Sequence, residues 1–193
     1  MEIRILRIEE MKNATGLSRY VFDTCLRNRM EYSQTIAFVE EYLTEENFTK
    51  LFLERKLILW GLFEGEQMVG VSGMQSDGLI TVLYILPQCQ NRGYGSEMLK
   101  VMQAYAKDIC RFKKVTLNAT PAWTSFFFGN KGFSNLNTNQ DLKAPFVPMY
   151  IYLEGVGSYK KRKISKKWIV LAIFGSMLFA TIVGSVFMIW YLF

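Results

Sequence analysis

The spacing of apolar positions changes several times along the first 153 residues, and each change marks an element. Glu2–Arg7 alternates polar and apolar side chains, the two-residue period of a strand. Asn13–Arg29 places Leu17, Tyr20, Val21, Thr24 and Cys25 at helical spacing. Thr35–Leu43 does the same with Ile36, Phe38, Val39 and Tyr42, and Glu45–Arg55 predicts a short third helix. Leu57–Phe63 and Gln67–Met74 are strands around a Glu64-Gly65-Glu66 turn, a hairpin. After a Ser76-Asp77-Gly78 turn, the apolar run Leu79–Leu86 predicts a strand stopped by Pro87. Gly93–Phe112 is a helix with Met98, Leu99, Met102, Tyr105, Ala106 and Ile109 on one face. Lys114–Asn118 is a strand, Ala122–Asn130 a short helix, and Val147–Leu153 the closing strand. This order predicts an α/β fold: one mixed central sheet with helices on both faces.

The pattern ends abruptly in the tail. Trp168–Phe193 contains 26 residues and no charge. As a helix it extends about 39 Å, enough to cross a hydrocarbon core of about 30 Å with tilt. Trp168 at one end, with Trp190 and Tyr191 at the other, sits where interfacial aromatics are expected. The expected organisation is a domain over residues 1–154, a basic linker over 155–167 and a transmembrane helix over 168–193. Ala172, Ser176, Ala180 and Gly184 make a small-residue stripe that permits close pairing of two spans, a homodimer through the membrane helix. Small residues are also common in unpaired spans. The opening Met1–Glu10 alternates apolar and charged residues, unlike a signal peptide.

Charge sharpens this division. The chain carries 23 Lys+Arg and 17 Asp+Glu, a formal net charge of +6. Lys160, Lys161, Arg162, Lys163, Lys166 and Lys167 account for the whole excess, so residues 1–159 are formally neutral. A nucleic-acid binder carries its basic charge on the folded domain, so no nucleic-acid partner is expected. Basic residues beside a span stay on the cytoplasmic side, which predicts a single-pass membrane protein with its N-terminal domain in the cytoplasm and the bilayer as a partner. Cys25, Cys89 and Cys110, odd in number and without CxxC spacing, fit a reducing compartment and no metal. Histidine is absent, which excludes histidine-based triads, histidine-containing zinc sites and a histidine general base.

The stretch with chemical content is Leu83–Ser96: a strand ending at Pro87, a polar loop, then Gly93 and Gly95 opening a helix. Free N–H groups at a helix start, with glycines allowing close approach, make an anion site. Consecutive loop amides form a nest for phosphate oxygens, and Arg92 adds charge at its rim. The Walker sequence requires Gly-Lys-Ser/Thr, but Ser96-Glu97 follows Gly95. The dinucleotide fingerprint requires a third glycine where Met98 stands. Taken alone, the two glycines favour a plain tight strand-to-helix turn over an anion site.

Gln90-Asn91-Arg92-Gly93-Tyr94-Gly95 resembles the Gln/Arg-x-x-Gly-x-Gly/Ala signature of the GNAT superfamily, the acetyl-CoA-dependent N-acyltransferases. It follows a strand ending Leu-x-Ile-Leu-Pro, as in that family. Phe127-Phe128-Gly129-Asn130-Lys131-Gly132-Phe133 is similar to the family's Phe-Tyr-x-x-x-Gly-Phe segment, and Phe146–Met149 to its closing strand. The resemblance covers residues 1–153 and implies a GNAT-like sheet plus the separate C-terminal transmembrane helix. It implies that Leu79–Leu86 and Lys114–Asn118 splay apart and receive the pantetheine arm of acetyl-CoA. Backbone groups near Ile85 and Leu86 would bond to it and polarise the thioester. Amides from Gln90, Asn91, Arg92, Gly93, Tyr94, Gly95 and Ser96 would hold the pyrophosphate. Asn118 either faces the pantetheine or is simply a polar strand end.

The implied reaction is direct attack of a primary amine on the acetyl thioester in a ternary complex. The acceptor is a small molecule, peptide or protein. One position departs from the pattern: the family's proton-donating Tyr is Phe128 here. Ser125, Tyr94 or solvent are the substitutes. The family's acceptor pocket is floored by the first two helices and their connection, here Asn28–Thr35, where Glu31 either engages the amine or is a solvated helix-end carboxylate. Trp123, Phe126 and Phe127 are pocket or core aromatics. Phe128 also motivates a competing reading, a catalytically impaired acyl-CoA-binding sensor or scaffold on the membrane.

Overall fold

The computed structural model describes residues 1–30, 33–119, 127–136 and 146–153. The transmembrane, linker and membrane-pairing expectations, together with Glu31, Ser125, Trp123 and Phe126, lie outside the described residues. Among the described residues no helix is long and apolar enough to cross a membrane.

In chain order the elements are β1 (Glu2–Ile5), α1 (Met11–Val21), α2 (Ser33–Tyr42), α3 (Glu45–Leu53), β2 (Leu57–Glu64), β3 (Gln67–Gln75), β4 (Leu79–Ile85), α4 (Tyr94–Asp108), β5 (Lys114–Ala119), β6 (Ser134–Asn135) and β7 (Val147–Tyr152). The strands form one mixed sheet in the order β1-β2-β3-β4-β5-β7-β6. Among the described residues only β4 and β5 are paired in parallel; the other pairs are antiparallel.

Each face of the sheet has its own core, because β2 alternates. Trp60 and Leu62 join Met98, Leu99, Met102 and Ala106 of α4 in one apolar layer. Leu57, Leu59 and Phe63 join Met11, Ala14, Leu17 and Val21 of α1, with Phe48 of α3, in the other. Alternation puts position 61 on this second face, where a side chain would collide: an added Cβ would sit 2.6 Å from Leu6 Cδ2.

Three boundaries differ from the periodicity. The helix expected over Asn13–Arg29 stops as an α-helix at Val21 and continues as a wide π turn over Phe22–Leu26 and a 3-10 turn over Arg27–Arg29. The wide turn lets Val21 and Phe22, neighbours in sequence, both enter the core. The expected strand through Arg7 is replaced after Ile5 by a turn in which the Arg7 amide donates to Glu10 Oε2 at 2.8 Å. The helix expected to start at Gly93 and reach Phe112 runs only from Tyr94 to Asp108. Gly93 is its left-handed cap, and Arg111 (φ 59°) turns the chain away beyond its end.

Candidate functional site

β4 carries a bulge. Gly73 faces Val82 while Met74 faces Ile80, so Thr81 has no partner of its own on β3. The bulge switches the side-chain alternation: Ile80 lies in the α4 core, whereas Val82 and Tyr84 face α1 and α2. It also marks where the sheet opens. β4 pairs with β5 only at Leu79↔Thr116 and Ile80↔Leu117, and the remainder of β4 runs on without that neighbour.

Backbone direction in the open part follows from alternation. The Leu86 amide donates to Val69 O at 2.9 Å, so the Leu86 N–H points toward β3. Tyr84 then also points to β3, and the peptide groups of Leu83 and Ile85 point into the gap. Leu86, expected to contribute to the gap, does not: its amide is held by Val69 and its carbonyl accepts from the Cys89 amide at 2.8 Å. The Ile85 peptide group faces the gap. Its carbonyl already accepts from Gln90 Nε2 at 3.0 Å, so its N–H is the group directed at a ligand. Leu83, unmarked in the sequence reading, joins it. The signal for Leu83 was the bulge, which no side-chain pattern discloses.

The loop after β4 supplies the anion site. The Gln90 amide donates to Pro87 O at 3.2 Å and the Ser96 amide to Gly93 O at 2.9 Å, which leaves these two expected donors engaged. Between them, the amides of Asn91, Arg92, Gly93, Tyr94 and Gly95 meet no backbone acceptor among the described residues. Asn91 (φ 62°) and Gly93 (φ 83°) are both left-handed, conformations that asparagine and glycine tolerate best. The run ends at the N-terminus of α4, whose dipole favours an anion. A Cβ at Gly95 would stand 3.3 Å from Phe127 Cζ, so the glycine lets the ring close on the helix start.

Arg92 is half-exposed at the rim. Its Nη2 donates to Gln88 O at 3.1 Å, and its Nη1 lies 3.5 Å from Glu64 Oε1. Tyr94, a candidate proton donor, is turned away from the gap. Its hydroxyl donates to the Glu64 carboxylate at the end of β2, and β3 and β4 separate Glu64 from the opening. That hydrogen bond raises its pKa above the ordinary tyrosine value. Phe128 packs edge-on against Phe127 and Phe133, with ring centroids 5.0 and 5.8 Å away, as a core aromatic. Asn118 is exposed on β5, one residue past the last β4–β5 pair, and lies beside the opening.

The far side of the gap is bordered by the end of α1 and by α2. Gln90 Nε2 lies 3.8 Å from Cys25 Sγ, which brings the π turn next to the end of β4. The Tyr42 hydroxyl donates to Thr81 Oγ1 at 2.9 Å and fastens the end of α2 to the bulge. Tyr84, partly buried, packs on the same apolar layer as Tyr42. Its phenol is raised well above the ordinary tyrosine range, chiefly by burial and secondarily by the neighbouring Tyr42. Sequence periodicity marked Tyr42 only as a helix-face residue and Tyr84 only as part of an apolar strand.

This arrangement resembles known proteins. The profile of the acetyltransferase (GNAT) domain matches residues 26–153. No curated protein sequence matches the chain. Among solved structures, a GCN5-related N-acetyltransferase from Rhodopseudomonas palustris superposes with a TM-score of 0.64 at 15% identity, over 79% of this chain and 95% of that one. The yncA acetyltransferase from Salmonella typhimurium with acetyl-CoA gives 0.60 at 13% identity, over 84% and 99%. The PaiA N-acetyltransferase from Thermoplasma acidophilum with coenzyme A gives 0.56 at 16% identity, over 79% and 99%. At these identities the superpositions establish the fold.

Proposed function

The chain belongs to the GNAT family of acetyltransferases, and from that premise we propose that it transfers an acetyl group from acetyl-CoA to a primary amine by direct attack. The observation that carries the reading is the combination of the strand opening beyond Ile80 with five successive amides beside it that meet no backbone acceptor among the described residues. The donor set fits the donor substrate. Amides at Asn91–Gly95 match a pyrophosphate, and the exposed peptide edge of β4 at Leu83 and Ile85 matches an amide-bearing pantetheine arm.

In the reaction the amine nitrogen bonds to the thioester carbonyl carbon, the carbon–sulfur bond breaks, and the sulfur leaves as thiolate. The amine proton passes to solvent. The Leu83 and Ile85 N–H groups are the fixed donors available to a developing oxyanion, and such preorganised donors contribute about 3–4 kcal/mol each in well-studied cases. Phe128 donates no proton. A thiol with a pKa near 8.5 leaves without obligatory protonation, so its loss slows the reaction rather than preventing it.

We place the reaction at the cytoplasmic face of a membrane, with residues 168–193 as the span and 155–167 as its basic flank. The uncharged run and the adjacent lysines support this reading. Anchoring raises the effective concentration of membrane-localised acceptors. The test is release of free thiol from acetyl-CoA with amine present, together with carbonate extraction of the expressed chain from membranes. Amine-dependent thiol release and retention in the pellet are expected. Thiol release without dependence on any amine contradicts the transfer, and extraction into the supernatant contradicts the anchor.

A further inference from the structure

We propose that the end of the sheet where α3 and α4 lead into β2 and β5 is a docking surface for anionic phospholipid headgroups. The inference rests on the membrane reading above and adds which part of the domain meets the bilayer. Register and hydrogen bonds gather this end from distant sequence. The Lys56 carbonyl, just before β2, accepts from the Ser76 amide beyond β3 at 3.0 Å. The Gly78 carbonyl, just before β4, accepts from Thr116 of β5 at 3.0 Å. Lys114 pairs with Tyr152 of β7, and the Leu153 amide donates to Lys113 O at 2.9 Å.

The two helices reach this end on opposite faces of the sheet, α4 in one core and α3 in the other. Both connections are built alike. Each begins at a large apolar residue left in the open, Leu53 or Ile109, both 66% exposed. Each then turns through an exposed arginine in the left-handed region, Arg55 (φ 56°) or Arg111 (φ 59°), where glycine is the least strained residue. Lysine follows, Lys56 after the first and Lys113 and Lys114 after the second, all exposed. Apolar side chains bracketed by cations suit a surface lying at headgroup level beside anionic lipid.

Charge supports the same occupant. Of the carboxylates here, Glu54 is paired with Lys56 at 2.7 Å, Asp77 accepts from the Leu79 amide at 3.0 Å, and Asp108 ends α4. Arg55, Arg111, Lys113 and Lys114 have no ion pair among the described residues. Glu2, Glu64 and Glu66 stand at the opposite end, around the β2–β3 turn, so a formally neutral domain is polarised. The undescribed stretches 120–126 and 137–145 adjoin that opposite end, at Ala119 and Leu136. Glu154 follows Leu153 directly, and then come the basic run Lys160–Lys167 and the uncharged run Trp168–Phe193. The domain therefore passes the chain to its lipid-seeking tail from its basic end. The opening beyond Ile80 and the amides of Asn91–Gly95 lie toward the other end of β4, about 20 Å along the strand. That exceeds the Debye length of about 8 Å at physiological salt, so headgroups at the basic end neither block nor repel a polyanionic donor.

The test uses the full chain in nanodiscs of phosphatidylcholine, with and without phosphatidylserine, after carbonate extraction has shown retention in membranes. Reductive methylation read by mass spectrometry reports lysine accessibility. Lys113 and Lys114 should react at least about threefold more slowly with phosphatidylserine present, and high salt should remove the difference. Lys131, exposed near the start of α4, should react alike in both discs, and acetyl-CoA affinity should be the same in both. The double variant Arg55→Gly, Arg111→Gly relieves the left-handed strain while removing two cations, and should lose most of the protection; the wild-type comparison decides the matter even without it. Equal reactivity of Lys113 and Lys114 in the two discs, equal slowing at Lys131, or weaker acetyl-CoA binding beside phosphatidylserine overturns the inference and leaves the anchor standing. Protection of Lys113 and Lys114 by added RNA but not by phosphatidylserine overturns the lipid assignment in favour of a nucleic acid. Extraction of the chain into the carbonate supernatant overturns the anchor, and this inference with it.

Discussion

Replacing Gly93 by alanine separates backbone strain from steric blockage at the anion site. Gly93 has φ 83°, and a Cβ added there meets nothing within 4 Å, so the substitution causes no collision. What remains is the left-handed conformation, which costs a non-glycine residue about 1–2 kcal/mol. Whether that cost falls on stability or on binding depends on what holds the backbone. Gly65 has φ 61° and equally open space, but it lies between Glu64 and Gln67, which pair across the β2–β3 hairpin. There the ladder imposes the conformation, and Gly65→Ala should lower stability by about 1–2 kcal/mol, a few degrees in Tm for a chain of this size. Around Gly93 the amides of Asn91–Gly95 have no backbone acceptor among the described residues, so the loop relaxes. Binding must then restore the left-handed turn, and 1–2 kcal/mol corresponds to roughly 5–30-fold weaker acetyl-CoA affinity. Calorimetry and thermal melts on both variants decide the matter. The reasoning is refuted if Gly93→Ala binds acetyl-CoA as tightly as Gly65→Ala.

Three further outcomes are expected. Met102, fully buried between α4 and the sheet, should lose about 2–5 kcal/mol on substitution by alanine, read from urea denaturation; a loss under 1 kcal/mol would mean that α4 packs less closely than described. The Glu10 carboxyl is held at about 2 by hydrogen bonding to Arg4, whose Nη2 lies 2.7 Å away. Its contribution to stability is present above the ordinary carboxylate pKa and fades as pH falls toward 2, so wild type and Glu10→Gln should differ most above about pH 5 and converge in acid; a constant difference across that range contradicts the assignment. Phe128→Tyr restores the hydroxyl that the family carries at this position. Turnover should rise if thiolate departure limits the rate, and general acids typically contribute about 10²–10⁴-fold; single-turnover kinetics with an unchanged rate would place the slow step elsewhere.

Much of the architecture is legible because hydrophobic period reports burial directly. Met98, Leu99, Met102 and Ala106 repeat at helical spacing and all enter the α4 core. Gly93 and Gly95 mark the strand-to-helix turn because backbone conformation and the approach of Phe127 demand glycine there. Other features leave no such trace. A π turn after Val21 and an α-helix share nearly the same side-chain spacing over one turn, so the break is invisible until packing is known. The bulge at Thr81 shifts which face every later β4 residue presents, and an apolar run such as Val82–Ile85 fits either register. The resemblance points to Leu86, whereas the bulge turns the Leu83 peptide to the gap, and Tyr84 reads from sequence only as part of an apolar strand. Gln90 opens the signature and Ser96 follows it, yet their amides are consumed by local turns, a competition that only hydrogen-bond geometry reveals.

The central claim is that acetyl-CoA lies along the open edge of β4 with its pyrophosphate on the following loop. Hydrogen exchange followed by mass spectrometry, resolved to single amides over residues 83–96 with and without saturating acetyl-CoA, tests it most directly. Slowed exchange at Asn91, Arg92, Gly93, Tyr94 and Gly95, together with Leu83 and Ile85, is the predicted result, with little change at Leu86, Gln90 and Ser96, whose amides are already bonded. Saturation by acetyl-CoA without slowing at those positions would contradict the site, and protection confined to another part of the sheet would place the donor there instead.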